Sequence, residues 1–157
     1  MEEVLVAPKS YEQWLKTFAI LSSTAVREQD IIVLQNGVCP GIEKVSYEFQ
    51  KRMQETTKSM LTRITRKCTS SINNSLQEGD FENIDVLIRR FYSEMKGCRF
   101  YLYINFLPRE FIQELDRQVT REIDRYWNEL KKYLETLADE TNDARLYDMI
   151  YYLKRIK

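Results

Sequence analysis

Apolar residues recur every three or four positions along almost the whole chain, the period of helices that bury one face. Ser10-Tyr11-Glu12-Gln13 has the form of a capping box, in which a hydroxyl and a side-chain amide three residues later satisfy free backbone N–H groups. A helix over about 11–22 follows, burying Trp14, Leu15, Phe18 and Leu21. Residues 24–36 read as a second short helix stopping before Gly37, or, through Ile31-Ile32-Val33-Leu34, as a strand that would need a partner.

Residues 42–77 predict the first long helix, ~54 Å at 1.5 Å per residue. Its apolar positions are Ile42, Val45, Phe49, Met53, Met60, Ile64, Cys68, Ile72 and Leu76. They recur mostly every four residues, so the stripe rotates by about 100° along the helix. The helix must curve or change packing partners, and the gap between Met53 and Met60 is the expected handover.

Gly79-Asp80 is a stop followed by a start, with Asp80 as N-cap and Glu82 suited to the first turn. Ile84, Leu87, Ile88, Phe91, Met95, Cys98 and Leu102 then hold helical register towards Asn105. The segment Phe100–Leu107 is apolar or aromatic on all sides and has strand propensity, but a lone strand lacks a partner, so it reads as the end of a buried helix. Pro108 opens the next helix, with Phe111, Ile112, Leu115, Val119, Ile123, Tyr126, Trp127, Leu130, Tyr133, Leu134 and Leu137 in a near-heptad stripe. Thr141 or Asn142 caps a last helix carrying Leu146, Met149, Ile150, Leu153 and Ile156 on one side. The fold expected is all-α: an antiparallel bundle of three long helices, about 42–77, 80–107 and 108–138, plus short N-terminal and C-terminal helices, in a single domain spanning 1–157.

Composition narrows the chemistry. The 157 residues include no histidine, which removes the commonest general base and metal ligand. Cys39, Cys68 and Cys98 form no C-x-x-C pair and read as reduced, mostly buried thiols. Cys39 has no base to activate it, the glycines are isolated rather than clustered in a phosphate loop, and Asn73-Asn74-Ser75 reads as a chance sequon. Carboxylates pair along one helix at Glu110 with Glu114 and near Asp116 and Asp124, but helical di-iron sites also require histidine. No run approaches a membrane span and the N-terminus is acidic where a secretory signal is basic, so the expectation is a cytoplasmic, non-enzymatic protein with no cofactor.

The formal charge is zero, with 24 basic and 24 acidic residues, yet the zero is a sum of blocks. Residues 56–77 carry +4 with no acid, residues 78–88 carry −4, residues 89–107 carry +3, residues 108–143 carry −4 and residues 144–157 carry +3. An antiparallel hairpin would place Arg89 and Arg90 level with Arg66 and Lys67, so Lys58, Arg63, Arg66, Lys67, Arg89 and Arg90 form a candidate anion or nucleic-acid patch on 56–77 and 89–99. The plainer alternative is that this band docks on the acidic helix 108–138 or is a solvated face.

The last helix is unusual in having Tyr147 and Tyr151, with Tyr152 at the margin, on a side that its apolar stripe does not use. Tyrosine combines large area with a polar tip and is enriched at interfaces. These three residues are therefore the candidate partner-binding or homodimer face, unless the bundle wraps around them or they lie flat on its surface. The leading expectation is a helical-bundle interaction protein; polyanion binding is the alternative. A ligand pocket among Trp14, Phe100 and Trp127 is a third reading, resting on aromatic content alone.

Overall fold

The computed structural model describes residues 5–39 and 47–156, with side chains for all of these except Met149 and 152–156. It is an all-α bundle: α1 Tyr11–Ser23, α2 Glu28–Gln35, α3 Tyr47–Glu78, α4 Phe81–Lys96, a 3-10 segment Gly97–Tyr103, α5 Arg109–Thr141 and α6 Ala144–Ile156. No strand occurs among the described residues, which resolves 28–35 in favour of a helix.

Ser10 caps α1 as the sequence predicts, its Oγ accepting from the Gln13 N–H at 3.3 Å. Gln13 Oε1 reaches back one residue further than a standard capping box, to the Lys9 N–H at 2.7 Å. α2 starts where Asp30, itself buried, accepts from the Arg27 N–H at 2.9 Å and pairs with the Arg27 side chain.

In α3 the predicted stripe is buried at Phe49, Met53, Met60, Ile64, Cys68 and Ile72, while Ile42 and Val45 lie outside the described residues. The gap between Met53 and Met60 is filled by buried Thr56 and Thr57, whose hydroxyls donate to the carbonyls of Arg52 and Met53 and so carry no unpaired polar group inward. Tyr11 and Trp14 reach Phe49, while Arg63 reaches the far end of α1, so α1 runs parallel to the first half of α3. The Gly79-Asp80 connection turns α4 back along the second half, and Asn83 Nδ2 donates across it to Ser75 Oγ at 2.8 Å. The change of partner falls near Arg63, a few residues beyond the gap.

The predicted helix over 80–107 is corrected. α4 ends at Lys96 and the chain tightens into the 3-10 segment, with Arg99 out of helical geometry at φ −88°, ψ 22°. Two physical reasons combine: Cys98 and Tyr101, three apart and both buried, lie on one side of a three-residue turn, and the Tyr101 hydroxyl reaches Asp116 of the helix that follows. Two long helices thus remain, α3 and α5, with α4 half their length.

α5 ends at Asn142, whose backbone is left-handed at φ 56°, a conformation asparagine tolerates. The cap of α6 moves on by one residue from the predicted Thr141 or Asn142: Asp143 Oδ1 accepts from the Arg145 N–H at 3.0 Å. α6 then folds back on α5, burying Leu146 and Ile150, and the Arg145 guanidinium lies 4.0 Å over the Phe81 ring of α4.

Candidate functional site

Two surfaces and two internal polar groupings contain most of the residues that could do chemistry. The first surface is the outward side of α3. Because its apolar stripe is spent on the core, the positions between stripe residues face solvent: Lys58, Ser59, Arg66, Lys67, Ser70 and Asn74 are exposed, and Thr62, Arg63, Thr65 and Asn73 half-buried. Lys58, Ser59, Thr62, Arg63, Arg66 and Lys67 line one shallow depression, and Thr65, Arg66, Thr69, Ser70, Asn73, Asn74 and Tyr126 line the next.

Four of the six predicted anion-site cations are therefore gathered, but they do not share one role. Arg63 turns away to α1, donating from Nε to the Ser22 carbonyl at 3.0 Å and from Nη2 to the Thr24 carbonyl at 3.1 Å. It satisfies the open carbonyls at that helix's end, a packing role. Arg89 and Arg90 do not line the depression. Arg89 pairs with Asp85 at 3.3 Å and Arg90 with Glu94 at 3.4 Å, each within α4. Lys58, Arg66 and Lys67 make no ion pair among the described residues, and none joins α3 to α5.

Sequence reasoning missed Arg121. α3 and α5 flank a groove floored by buried Thr57, Leu61, Leu115 and Val119, which Lys58 lines from α3 and Arg121 from α5. Arg121 is exposed and has no ion pair among the described residues, whereas Arg117 pairs with Glu114 at 2.7 Å and Arg125 with Glu122 at 2.5 Å. The signal was present in the i, i+4 ladder of Arg117, Arg121 and Arg125, but only the packing of α5 on α3 shows which rung lacks a carboxylate.

The second surface is the outer side of α6. Tyr147 is 44% and Tyr151 65% exposed, while Leu146 and Ile150 between them are buried. The Tyr147 hydroxyl donates to Asp139 Oδ1 of α5 at 2.8 Å, which holds its proton more firmly than usual and fixes the ring. The side chain of Tyr152 lies outside the described residues.

The internal groupings are structural. Asp116 accepts from the buried Tyr101 hydroxyl at 2.8 Å and pairs with Arg99, tying the 3-10 segment to α5. Burial, and then the Asp116 carboxylate, push the Tyr101 phenol well above its usual range. Glu114, on the exposed side of the same helix, is occupied by Arg117 and Gln118, so one member of each carboxylate pair foreseen on this helix, Glu114 and Asp116, is spent on structural contacts. The Tyr126 hydroxyl lies 2.9 Å from Thr69 Oγ1, beside Cys68. Burial raises the Cys68 thiol to about 11 and the Cys98 thiol to about 12, so both stay protonated and unreactive at neutral pH. Cys39 is half-exposed. No group of three or more potential metal ligands occurs among the described residues.

Trp14 and Phe100 both pack against Phe18, but the rings around Trp127 are Tyr92 and Tyr126. The pocket foreseen among Trp14, Phe100 and Trp127 is not what these residues build: all three side chains are buried in one hydrophobic core, Trp14 and Phe100 around Phe18 and Trp127 among other rings. No helix among the described residues is long and apolar enough to cross a membrane. Compared with known proteins, the chain matches no family model, no curated protein and no solved structure.

Proposed function

We propose that this chain is a non-enzymatic helical-bundle interaction protein that pairs with a second copy of itself through the outer face of α6. One observation carries the reading: a terminal helix spends Leu146 and Ile150 on its own bundle and turns Tyr147 and Tyr151 outward. An isologous pair of such helices would cover both tyrosines on each copy. The Asp139 bond supports this, because a ring already held in one rotamer loses less entropy on docking. A non-catalytic reading is supported by two of the three thiols being buried and protonated and by carboxylates engaged in structural pairs.

Sedimentation equilibrium on the wild type and on Tyr147→Ala/Tyr151→Ala tests it. The expected result is a concentration-dependent dimer that the double variant loses, with its unfolding free energy changed by less than about 1 kcal/mol. A wild type that stays monomeric at every concentration, or a dimer indifferent to the substitutions, overturns the reading.

A second reading, polyanion binding, is favoured by the acid-free outward face of α3 and its cations Lys58, Arg66 and Lys67. It differs from the sequence-based patch in dropping Arg63, Arg89 and Arg90 from direct contact and adding Arg121.

A further inference from the structure

Building on the polyanion reading, we infer that the outward face of α3 from Lys58 to Asn74, extended across the α3–α5 groove by Arg121, binds the sugar-phosphate backbone of double-stranded nucleic acid.

The charged groups of this face are of one sign. From Lys58 to Asn74 the face rises ~24 Å along the helix axis, about seven base pairs of duplex at ~3.4 Å per phosphate on one strand. Within it no carboxylate interrupts Lys58, Arg66 and Lys67, and Ser59, Thr62, Ser70, Asn73 and Asn74 interleave hydroxyl and amide donors with the charges, while the Thr65 hydroxyl is spent on the Thr62 carbonyl and that of Thr69 on Tyr126. Cations with short neutral donors are the set that proteins place against phosphate oxygens. Glu55, Glu122 and Glu129 line the groove with Arg121 and set the lateral edge of the basic strip.

The same residues argue against other anionic partners. A protein interface is built round an apolar or aromatic anchor, and the exposed residues of this face supply none. A membrane-surface helix needs an apolar side to enter the acyl boundary, and here that side is buried in the core. Single-stranded nucleic acid is held by aromatic platforms, whereas the ring that lines the strip, Tyr126, is half-buried and tied to Thr69. A polar, cationic surface without stacking groups fits a duplex read through its backbone.

Fluorescence anisotropy of a labelled random-sequence duplex, titrated with the full chain across a salt series, tests this. Four cations with no ion pair among the described residues predict a slope of log K on log[salt] near −3.6, so affinity falls roughly a hundredfold between about 50 and 200 mM salt. Lys58→Glu/Arg66→Glu/Lys67→Glu should abolish binding, Arg121→Glu should weaken it and lower the slope by about one, and Arg89→Glu should leave the slope unchanged. All five residues are exposed, and circular dichroism confirms that each variant is folded. No duplex or heparin binding at low salt overturns both this inference and the polyanion reading. Heparin binding through Lys58, Arg66 and Lys67 without duplex binding overturns the inference alone. So does preference for a single-stranded oligonucleotide, or binding to phosphatidylserine vesicles in place of duplex. Duplex binding that survives the triple reversal removes the assignment to α3.

Discussion

Trp14 and Trp127 are buried to a similar degree, 0% and 6% exposed, yet their surroundings differ in kind. Trp14 donates its indole N–H to the Val38 carbonyl at 2.7 Å, and the Val38 N–H in turn donates to the Pro8 carbonyl at 2.9 Å. Phe49 and Phe106 meet the Trp14 ring nearly edge-on, with centroids 5.5 and 5.4 Å away. Trp127 has two rings beside it, Tyr92 and Tyr126, but its indole N–H is buried with no hydrogen-bond partner among the described residues. At the Trp14 end the loop after α2 and the N-terminal segment are locked onto the bundle through one side chain, and among the described residues only the Tyr11 hydroxyl there is buried without a partner. At the other end Trp127 supplies volume between α4 and α5 and leaves a donor unmet. The difference teaches that burial alone does not say what a core residue specifies.

The largest test exchanges each tryptophan for phenylalanine. Both substitutions lose similar volume, but Trp14→Phe also strands the Val38 carbonyl, whereas Trp127→Phe removes a donor that had no partner. Trp14→Phe should therefore cost about 1–3 kcal/mol more than Trp127→Phe, read as urea midpoints at constant m-value. Equal losses would mean that Trp127 is as specifically held as Trp14.

Alkali should separate the two ends next. The folded Cys68 thiol, beside Tyr126, titrates at about 11 against an ordinary 9.0, and Cys98 at about 12. A raised folded pKa means the stabilising contribution is complete below the unfolded value and is lost as pH climbs through the folded one. Stability should thus be flat to about pH 8 and then fall by up to ~1.4 kcal/mol per pH unit for each thiol. Measured under reducing conditions, Cys68→Ala should flatten this decline between pH 9 and 11, while Trp14→Phe shifts the whole curve without changing its slope. At pH 8 only Cys39 should react quickly with an aromatic disulfide, since the other two thiols are buried.

Gly37 sharpens the contrast from the Trp14 side. A Cβ there would lie 2.5 Å from Trp14 Cζ2 and 2.8 Å from Cη2, atoms of a ring that its hydrogen bond and neighbours leave nowhere to move. Gly37→Ala should cost about 1–3 kcal/mol by overpacking. Combined with Trp14→Phe it should cost much less than the sum, because the clash disappears with the indole benzene ring.

These features were unevenly legible in the sequence. Helix positions in α1, α3 and α5 follow from period and breakers, since Phe49 to Ile72 and Leu115 to Leu134 each need only one buried face. The end of α4 was concealed because Phe100, Leu102, Ile104 and Phe106 look continuous with the stripe before them. What ends the helix is long-range: Tyr101 must reach Asp116, and Phe106 must reach Trp14. The candidate cation strip was half visible. An acid-free run is a property of sequence, but Arg63 bonding to α1 and Arg121 lining one groove with Lys58 depend on which helices become neighbours. The tyrosines of α6 were legible as a second face, whereas the Asp139 bond that fixes Tyr147 depends on how closely α6 returns along α5.

Gly79 supplies the smallest effect and the control for Gly37. Its φ is +71°, and a Cβ there would meet nothing within 4 Å, so only backbone conformation opposes a side chain. Gly79→Ala should cost about 1 kcal/mol, the penalty of holding an L-residue in the left-handed region. Asparagine adopts that region more readily, as Asn142 does at the end of α5, so Gly79→Asn should recover part of the loss. At Gly37 the order must invert: asparagine is bulkier than alanine and should be the worse substitution, because there the obstacle is the Trp14 ring. Thermal midpoints of the four variants decide the matter, and asparagine outperforming alanine at both positions would show that the contact of Gly37 with Trp14 yields to a side chain.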